Sequence, residues 1–291
     1  MKIAVIAAVL SVSAAAVPSE RRPGYKSDEL LVTGMQNLRE YYSKNPYPTT
    51  TCTLKNAAVR KECIAAGAKN RYDDFVATHI NSTLFIHGTG NFLTWHRYFT
   101  WAYERALKDE CGYKGTQPYY QWAYWAADPA KSPALDGSQT SLGGDGAYIA
   151  GRNSTCWTKD SDIVSLIQSN PDFLSFSTRM QGDFPNGFLG VHTGGHFTVG
   201  GDPGGDLFAS PGDPFFFLHH AMIDRTYTNW QHLDLAKRQY ALGGTITLNN
   251  MPPSRNAELS DEIDLGYVGV PVTTIGKTAN TLAGPFCYVY A

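Results

Sequence analysis

The sequence predicts a mainly α protein: a helical core carrying long irregular loops and a few short strands. Residues 91–107 and 213–237 repeat apolar side chains at the spacing of an amphipathic helix. Residues 180–215 hold ten glycines, and residues 112–158 are rich in Gly, Pro and Tyr, compositions that favour loops. Strand-like alternation is confined to the tail after Gly243.

In chain order, residues 27–42 place Leu30, Leu31, Met35 and Leu38 at helical spacing, with Asp28 and Glu29 at the positive end of the helix dipole. Residues 54–66 and 71–78 read as two further helices. The helix over 91–107 has the broadest apolar face, built by Leu93, Trp95, Tyr98, Phe99, Ala102, Tyr103 and Ala106. Gly88 and Gly90 break the chain ahead of it, and Cys111-Gly112 lie past its end. Residues 162–168 form a short helix with Ser161 as cap. Within the glycine-rich interval only a piece around 192–196 is helical. Asp213 opens the second long helix, Pro214 sits well in its first turn, and Phe217, Ile223, Tyr227 and Trp230 carry it to Lys237. Thr245-Ile246-Thr247-Leu248 and residues 269–273 are the expected short strands.

Lys2, the apolar run from Ile3 to Leu10 and then Ala14-Ala15-Ala16 have the layout of a secretory signal peptide spanning residues 1–16, too short to cross a bilayer. Residues 17–291 then form one domain, because no linker rich in Gly, Ser or Pro divides them. A formal charge of -2 offers no basic field to gather phosphates, so nucleic acid is not an expected partner, and no membrane is expected once the signal is removed. With 17 Tyr, 14 Phe and 6 Trp, the chain suits either a dense core or a site for aromatic ligands. Cys52, Cys63, Cys111, Cys156 and Cys287 fit an oxidising compartment, and their odd number leaves at least one unpaired. Cys52 and Cys63 are close enough for a small loop; if 54–66 is one helix, Cys287 becomes the better partner of Cys63. Asn81-Ser82-Thr83 and Asn153-Ser154-Thr155 are glycosylation acceptors for a secreted chain.

The eight histidines are His79, His87, His96, His192, His196, His219, His220 and His232. They fall in two groups with mostly apolar neighbours, where a buried imidazole needs partners for both nitrogens and a metal satisfies one of them. His192 and His196 share one helix face, about 6 Å apart along the axis. His219 or His220 supplies a third ligand from the next helix, and only one of the two faces that metal, since adjacent helical residues point about 100° apart. His87 and His96 need the intervening glycines to turn towards each other, and His79 enters from the preceding helix. Three neutral imidazoles per metal suit copper, zinc, iron or nickel. A zinc hydrolase is the main rival to copper redox chemistry, but no His-Glu-x-x-His motif is present.

The segment His87-x8-His96-Arg97-Tyr98-Phe99 with Tyr103-Glu104 resembles the first copper region of the tyrosinase and catechol oxidase family. His192-x3-His196 with the run from Asp213-Pro214-Phe215 through His219-His220 to Asp224-Arg225 resembles its second. The resemblance covers residues 70–235 and implies an antiparallel four-helix bundle. It also implies two copper ions and dioxygen as co-substrate, with His79, His87 and His96 on the first copper and His192, His196 and His220 on the second. His219 matches the family's non-ligand histidine, Asp224 its buried carboxylate, and Phe216 a ring packed over the imidazoles, with Arg97 able to pair with Asp224.

The resemblance implies oxidation of o-diphenols and o-aminophenols to o-quinones, with small phenolic substrates as partners. A monophenol hydroxylase, a tailoring oxidase in secondary metabolism and an oxygen carrier like the hemocyanins are the alternatives. Three departures qualify it. Phe85 stands where many members carry a thioether-forming cysteine. The chain resembles the short, secreted fungal members without a C-terminal shielding domain. Thr193 and Asp183 stand where hydroxylating members hold a water with Asn and Glu, which predicts weak monophenol hydroxylation. Leu207 falls at the family's gating position, and Phe197 is assigned to the pocket beside it.

Overall fold

The computed structural model describes residues 24–44, 69–139, 141–142 and 157–290. The expected signal peptide, the helix over 54–66, Cys52, Cys63, Cys156 and Asn153 lie outside the described residues. Within them the chain is mainly helical: α1 (Lys26–Lys44), α2 (Arg71–Ile86), α3 (Phe92–Cys111), α4 (Trp122–Trp125), α5 (Asp160–Ser169), α6 (Phe173–Gln181), α7 (Gly190–Val199), α8 (Phe215–Leu233), α9 (Leu235–Arg238) and α10 (Ile275–Thr278).

Helix α8 is the spine. It contacts α1, α3, α5 and α7, and α2 packs on α3. Nearly every α8 side chain is buried, as expected of a helix enclosed on all sides. The apolar core lies on its two flanks. One side gathers Phe92, Leu93, Trp122, Phe176, Met222 and Trp230. The other gathers Phe75, Trp95, Phe99, Phe217, Ile263 and Phe286.

Several boundaries differ from expectation for local reasons. α2 does not stop at Thr78 but runs to Ile86. Its polar stretch is accommodated in the helix, with the Thr83 hydroxyl donating to the His79 carbonyl one turn back. Ser161 lies inside α5, whose cap is Lys159, its backbone N–H held by the Asp162 carboxylate. α8 ends at Leu233, where Asp234 turns out of the helical region (φ -152°, ψ 71°), and the chain resumes as α9.

Thr245-Ile246-Thr247-Leu248 makes only an isolated bridge from Thr245 to Asn256, and positive φ at Asn249 and Asn250 ends it. Of 269–273 only Thr273 pairs, because Pro271 has no N–H to give a ladder. The strands present are β1 (Glu262–Ile263) and β2 (Thr273–Thr274), antiparallel, with Glu262 opposite Thr274 and Ile263 opposite Thr273. Helix α6 was not expected. Asp172 caps it through Ser175 N–H, and Phe173, Phe176 and Met180 are its buried apolar residues.

Candidate metal centre

Helices α2, α3, α7 and α8 each present histidines to one buried region. His79 comes from α2, and His87 is the extended residue that ends this helix (φ -119°, ψ 142°). Gly88 follows with φ +59°, and a Cβ there would lie 2.5 Å from Asn249 Oδ1, so the turn that aims His87 inwards requires glycine. Its N–H donates to Gln181 Oε1 at 2.7 Å. His96 stands in the first turns of α3.

The first three imidazoles are set alike. Nδ1–H donates to a backbone carbonyl in each: His79 to Phe208 at 2.7 Å, His87 to Thr83 at 3.1 Å and His96 to Phe92 at 2.8 Å. A neutral imidazole that donates from Nδ1 carries its lone pair on Nε2. Nε2 of His79 and of His96 are buried without any hydrogen-bond partner, an arrangement that costs free energy unless something binds them. One nitrogen from each of the three lies within 4.8 Å of the others.

The second group lies on α7 and α8. His192 Nε2 is 3.2 Å from His196 Nε2, which is 3.3 Å from His220 Nε2. Nitrogens bound at about 2.0–2.1 Å to one tetrahedral metal sit roughly 3.3 Å apart, so the spacing fits a shared ion. His219 also comes within 4.8 Å of this set, but its Nδ1 accepts from Trp122 Nε1–H at 3.1 Å.

The two groups share a wall. The rings of His96 and His220 stack at 4.4 Å and 13°, and those of His87 and His192 at 5.9 Å and 28°. Two metals held here would be neighbours, and the two His-rich clusters are positioned for a dinuclear metal site. Burial holds the His87 pKa at about 4 and that of His196 at about 3. It pushes His79, His96, His192 and His220 well below the ordinary histidine value, with repulsion between neighbouring imidazoles adding to it. All are therefore neutral near pH 7, as metal ligands must be. A donor set made of imidazole, with no carboxylate in either cluster, fits copper.

A model of the common central domain of tyrosinase matches residues 69–161 and 150–233, which take in both histidine groups. The chain belongs to the tyrosinase family. The tyrosinase-like protein orsC of Emericella nidulans is 37% identical, over 68% of this chain and 73% of that one. Tyrosinase P of Aspergillus terreus is 32% identical, over 76% and 81%. The solved structure of a mutant polyphenol oxidase from Thermothelomyces thermophila superposes with a TM-score of 0.74 at 34% identity, covering 92% of this chain and 86% of the other. Within this family the chain is a copper-dependent phenol oxidase. No helix among the described residues is long and apolar enough to cross a membrane.

Around the histidines, Phe216 lies 4.1 Å from the His220 ring and 5.2 Å from His79. Arg97 Nε meets Asp224 Oδ1 at 2.5 Å, both buried, joining α3 to α8. The other guanidinium nitrogens donate to the carbonyls of Thr278 and Ala279 and to Thr228 and Gln231.

Leu207 is 45% exposed, and its neighbour Phe208 holds His79. Phe197 packs on Gly205. Thr193 donates its hydroxyl to the Gln181 carbonyl at 3.1 Å. Asp183 is tied into its own loop, its carboxylate accepting from Asn186 at 2.7 Å and its backbone bridging to Phe188. Asn81 is exposed on α2.

Sequence reasoning missed five contributors. Phe92 lies 4.8 Å from both His96 and His192; its place four residues before His96, one helical turn, was a usable signal. Gln181, Trp122 and the pair Tyr288 and Tyr290, whose hydroxyls donate to Asp224 Oδ2, act across long sequence separations and left no local sign. Cys287 is disulfide-bonded, and Cys111 is free and exposed.

Proposed function

We propose that this chain oxidises o-diphenols to o-quinones, and o-aminophenols alongside them to o-quinone imines, while dioxygen is reduced to water. His79, His87 and His96 would hold one copper and His192, His196 and His220 the other. The observation that carries this reading is the pair of neutral imidazole triads that share the His96–His220 wall. Copper bound there supplies the redox chemistry: two diphenols give four electrons and four protons to one O2, leaving two quinones and two waters.

The residues of the chain do the rest. Backbone carbonyls fix the tautomer of the first triad, so that Nε2 is free before any ion arrives. Phe216 and Phe92 fill the space between imidazoles and exclude water. Leu207 and Phe208, both exposed, offer an apolar edge for a planar ring next to His79.

Weak monophenol hydroxylation follows from the same surroundings. A base or an ordered water is needed to deprotonate a monophenol. Thr193 donates its hydroxyl to the Gln181 carbonyl, and one carboxylate oxygen of Asp183 is held by Asn186 within its own loop. Initial rates on 4-substituted phenols, catechols and o-aminophenols, read with oxygen consumption on copper-loaded protein, test this. Catechols and o-aminophenols should be the fast substrates, and rapid conversion of monophenols without a lag would overturn it. A secreted, glycosylated protein with Asn81 as one acceptor is part of the same proposal; the Cys287 disulfide suits an oxidising compartment.

A further inference from the structure

The second cluster holds one imidazole more than an open metal site needs. His192, His196, His219 and His220 all bring a nitrogen within 4.8 Å of one another. The His219 ring lies 4.6 Å from that of His196 and 5.1 Å from that of His220. Three protein ligands leave a position open for a reacting molecule, whereas four close it. Adjacent placement on α8 does not by itself remove His219, because the fold has brought it to the same place.

We propose that Trp122 keeps His219 out of the metal shell by fixing its tautomer. Indole Nε1–H is a donor only. It points at His219 Nδ1 from 3.1 Å, with both side chains buried. Nδ1 must therefore carry the lone pair, and the one proton of the neutral ring sits on Nε2. Neither nitrogen then offers a lone pair: that of Nδ1 is engaged by the indole, and Nε2, buried without a partner like Nε2 of His79 and His96, bears hydrogen instead. This is the reverse of the first triad, where Nδ1–H faces a carbonyl and Nε2 is bare.

Two further contacts hold the arrangement. Tyr120 N–H donates to the Leu218 carbonyl at 3.0 Å, anchoring the segment that carries Trp122 to the residue before His219. On the other side the ring lies on Gly195, between His192 and His196. A Cβ at that position would stand 2.1 Å from His219 Cε1 and 2.4 Å from Nδ1. Glycine is the seat and tryptophan the clasp, and together they hold His219 outside the set of ligands.

The inference rests on His192, His196 and His220 being the copper ligands, and the experiment separates the two claims. Protein labelled with 15N-histidine is loaded with Cu(I) without oxygen, and long-range proton–nitrogen correlations assign each tautomer. The His219 signal is the one lost in His219→Gln. The expected result is a single Nε2–H tautomer for His219 in the parent protein and its loss to a mixture in Trp122→Phe. An Nδ1–H ring in the parent, a measurement that needs no variant of Trp122, overturns the proposal. So does an unchanged Nε2–H ring in Trp122→Phe. Copper per chain in His219→Gln and His220→Ala reads the ligand assignment independently: the first should keep two coppers and the second lose one. If His219→Gln loses a copper, the ligand assignment and this proposal fail together. If only the tautomer result fails, the ligand assignment stands.

Discussion

The two histidine clusters reach the same end by different means. In the first, each imidazole is anchored at Nδ1 by a backbone carbonyl, two of them from one helical turn earlier. For His87 and His96 the geometry is written into the main chain of α2 and α3, while His79 takes its carbonyl from distant Phe208. In the second, the Nε2 atoms face one another at 3.2 and 3.3 Å, and Nδ1 of His220 is buried without a partner. Its geometry depends on how α7 packs against α8. The first cluster is largely preset, and the second is assembled by tertiary contact and needs its surplus imidazole disarmed.

Removing a ligand from either side should give the largest effect. His96→Ala and His220→Ala are each expected to lose one copper per chain. Oxidase activity should fall by at least roughly 100-fold, since disturbing even the groups behind a metal ligand costs about 10–100-fold. Copper analysis beside oxygen uptake checks it. A His220→Ala protein holding two coppers with full turnover would mean that the second cluster is not a ligand set.

Acid should act next most strongly, through the copper-free protein. The folded pKa values of His87 and His196 are depressed to about 4 and about 3 by burial. The unfolded chain protonates near 6.5. Between pH 6.5 and 4 the unfolded state therefore binds more protons, so stability is full above pH 6.5 and is lost as pH falls through that window. Each such imidazole contributes about 1.4 kcal/mol per pH unit. Denaturant midpoints of copper-free protein from pH 7.5 to 4.5 should fall accordingly, and a flat profile would show that the histidines are not buried neutral.

The contrast also sets what could be read from sequence. The long helices were legible because their apolar residues recur at helical spacing over many turns, although α8 and the first half of α3 are buried nearly all round. The histidine groups were legible because polar residues with apolar neighbours need a reason. The extent of α2 was not, because Asn81, Ser82 and Thr83 make a polar run that reads as a helix end. Nor was the part played by Trp122 or by Gln181, whose contacts depend on how distant segments pack. The expected strand at 245–248 failed for the same reason: its pairing with Arg255 and Asn256 stops after Ile246.

The Arg97–Asp224 pair links the helix of His96 to that of His220, so it binds the two clusters into one unit. Asp224→Ala leaves a buried guanidinium without its carboxylate, and should cost about 3–5 kcal/mol. Urea unfolding of the metal-loaded protein reads this. Tyr288→Phe and Tyr290→Phe, each removing one hydrogen bond to the same carboxylate, should cost less, about 1.5–3 kcal/mol.

The smallest expected effect is at Thr193, one residue from His192 and part of the less anchored cluster. Its hydroxyl makes one neutral hydrogen bond to the Gln181 carbonyl. Thr193→Val removes it with little change of shape, and should cost less than about 1.5 kcal/mol. Catechol oxidation should be unchanged, because a hydroxyl engaged with the main chain has no part in the reaction. If Thr193→Val instead lowered catechol turnover while copper content stayed at two, the second cluster would depend on α6 for its alignment. Gln181, which also holds the turn after His87, would then tie the preset and the assembled halves of the site together.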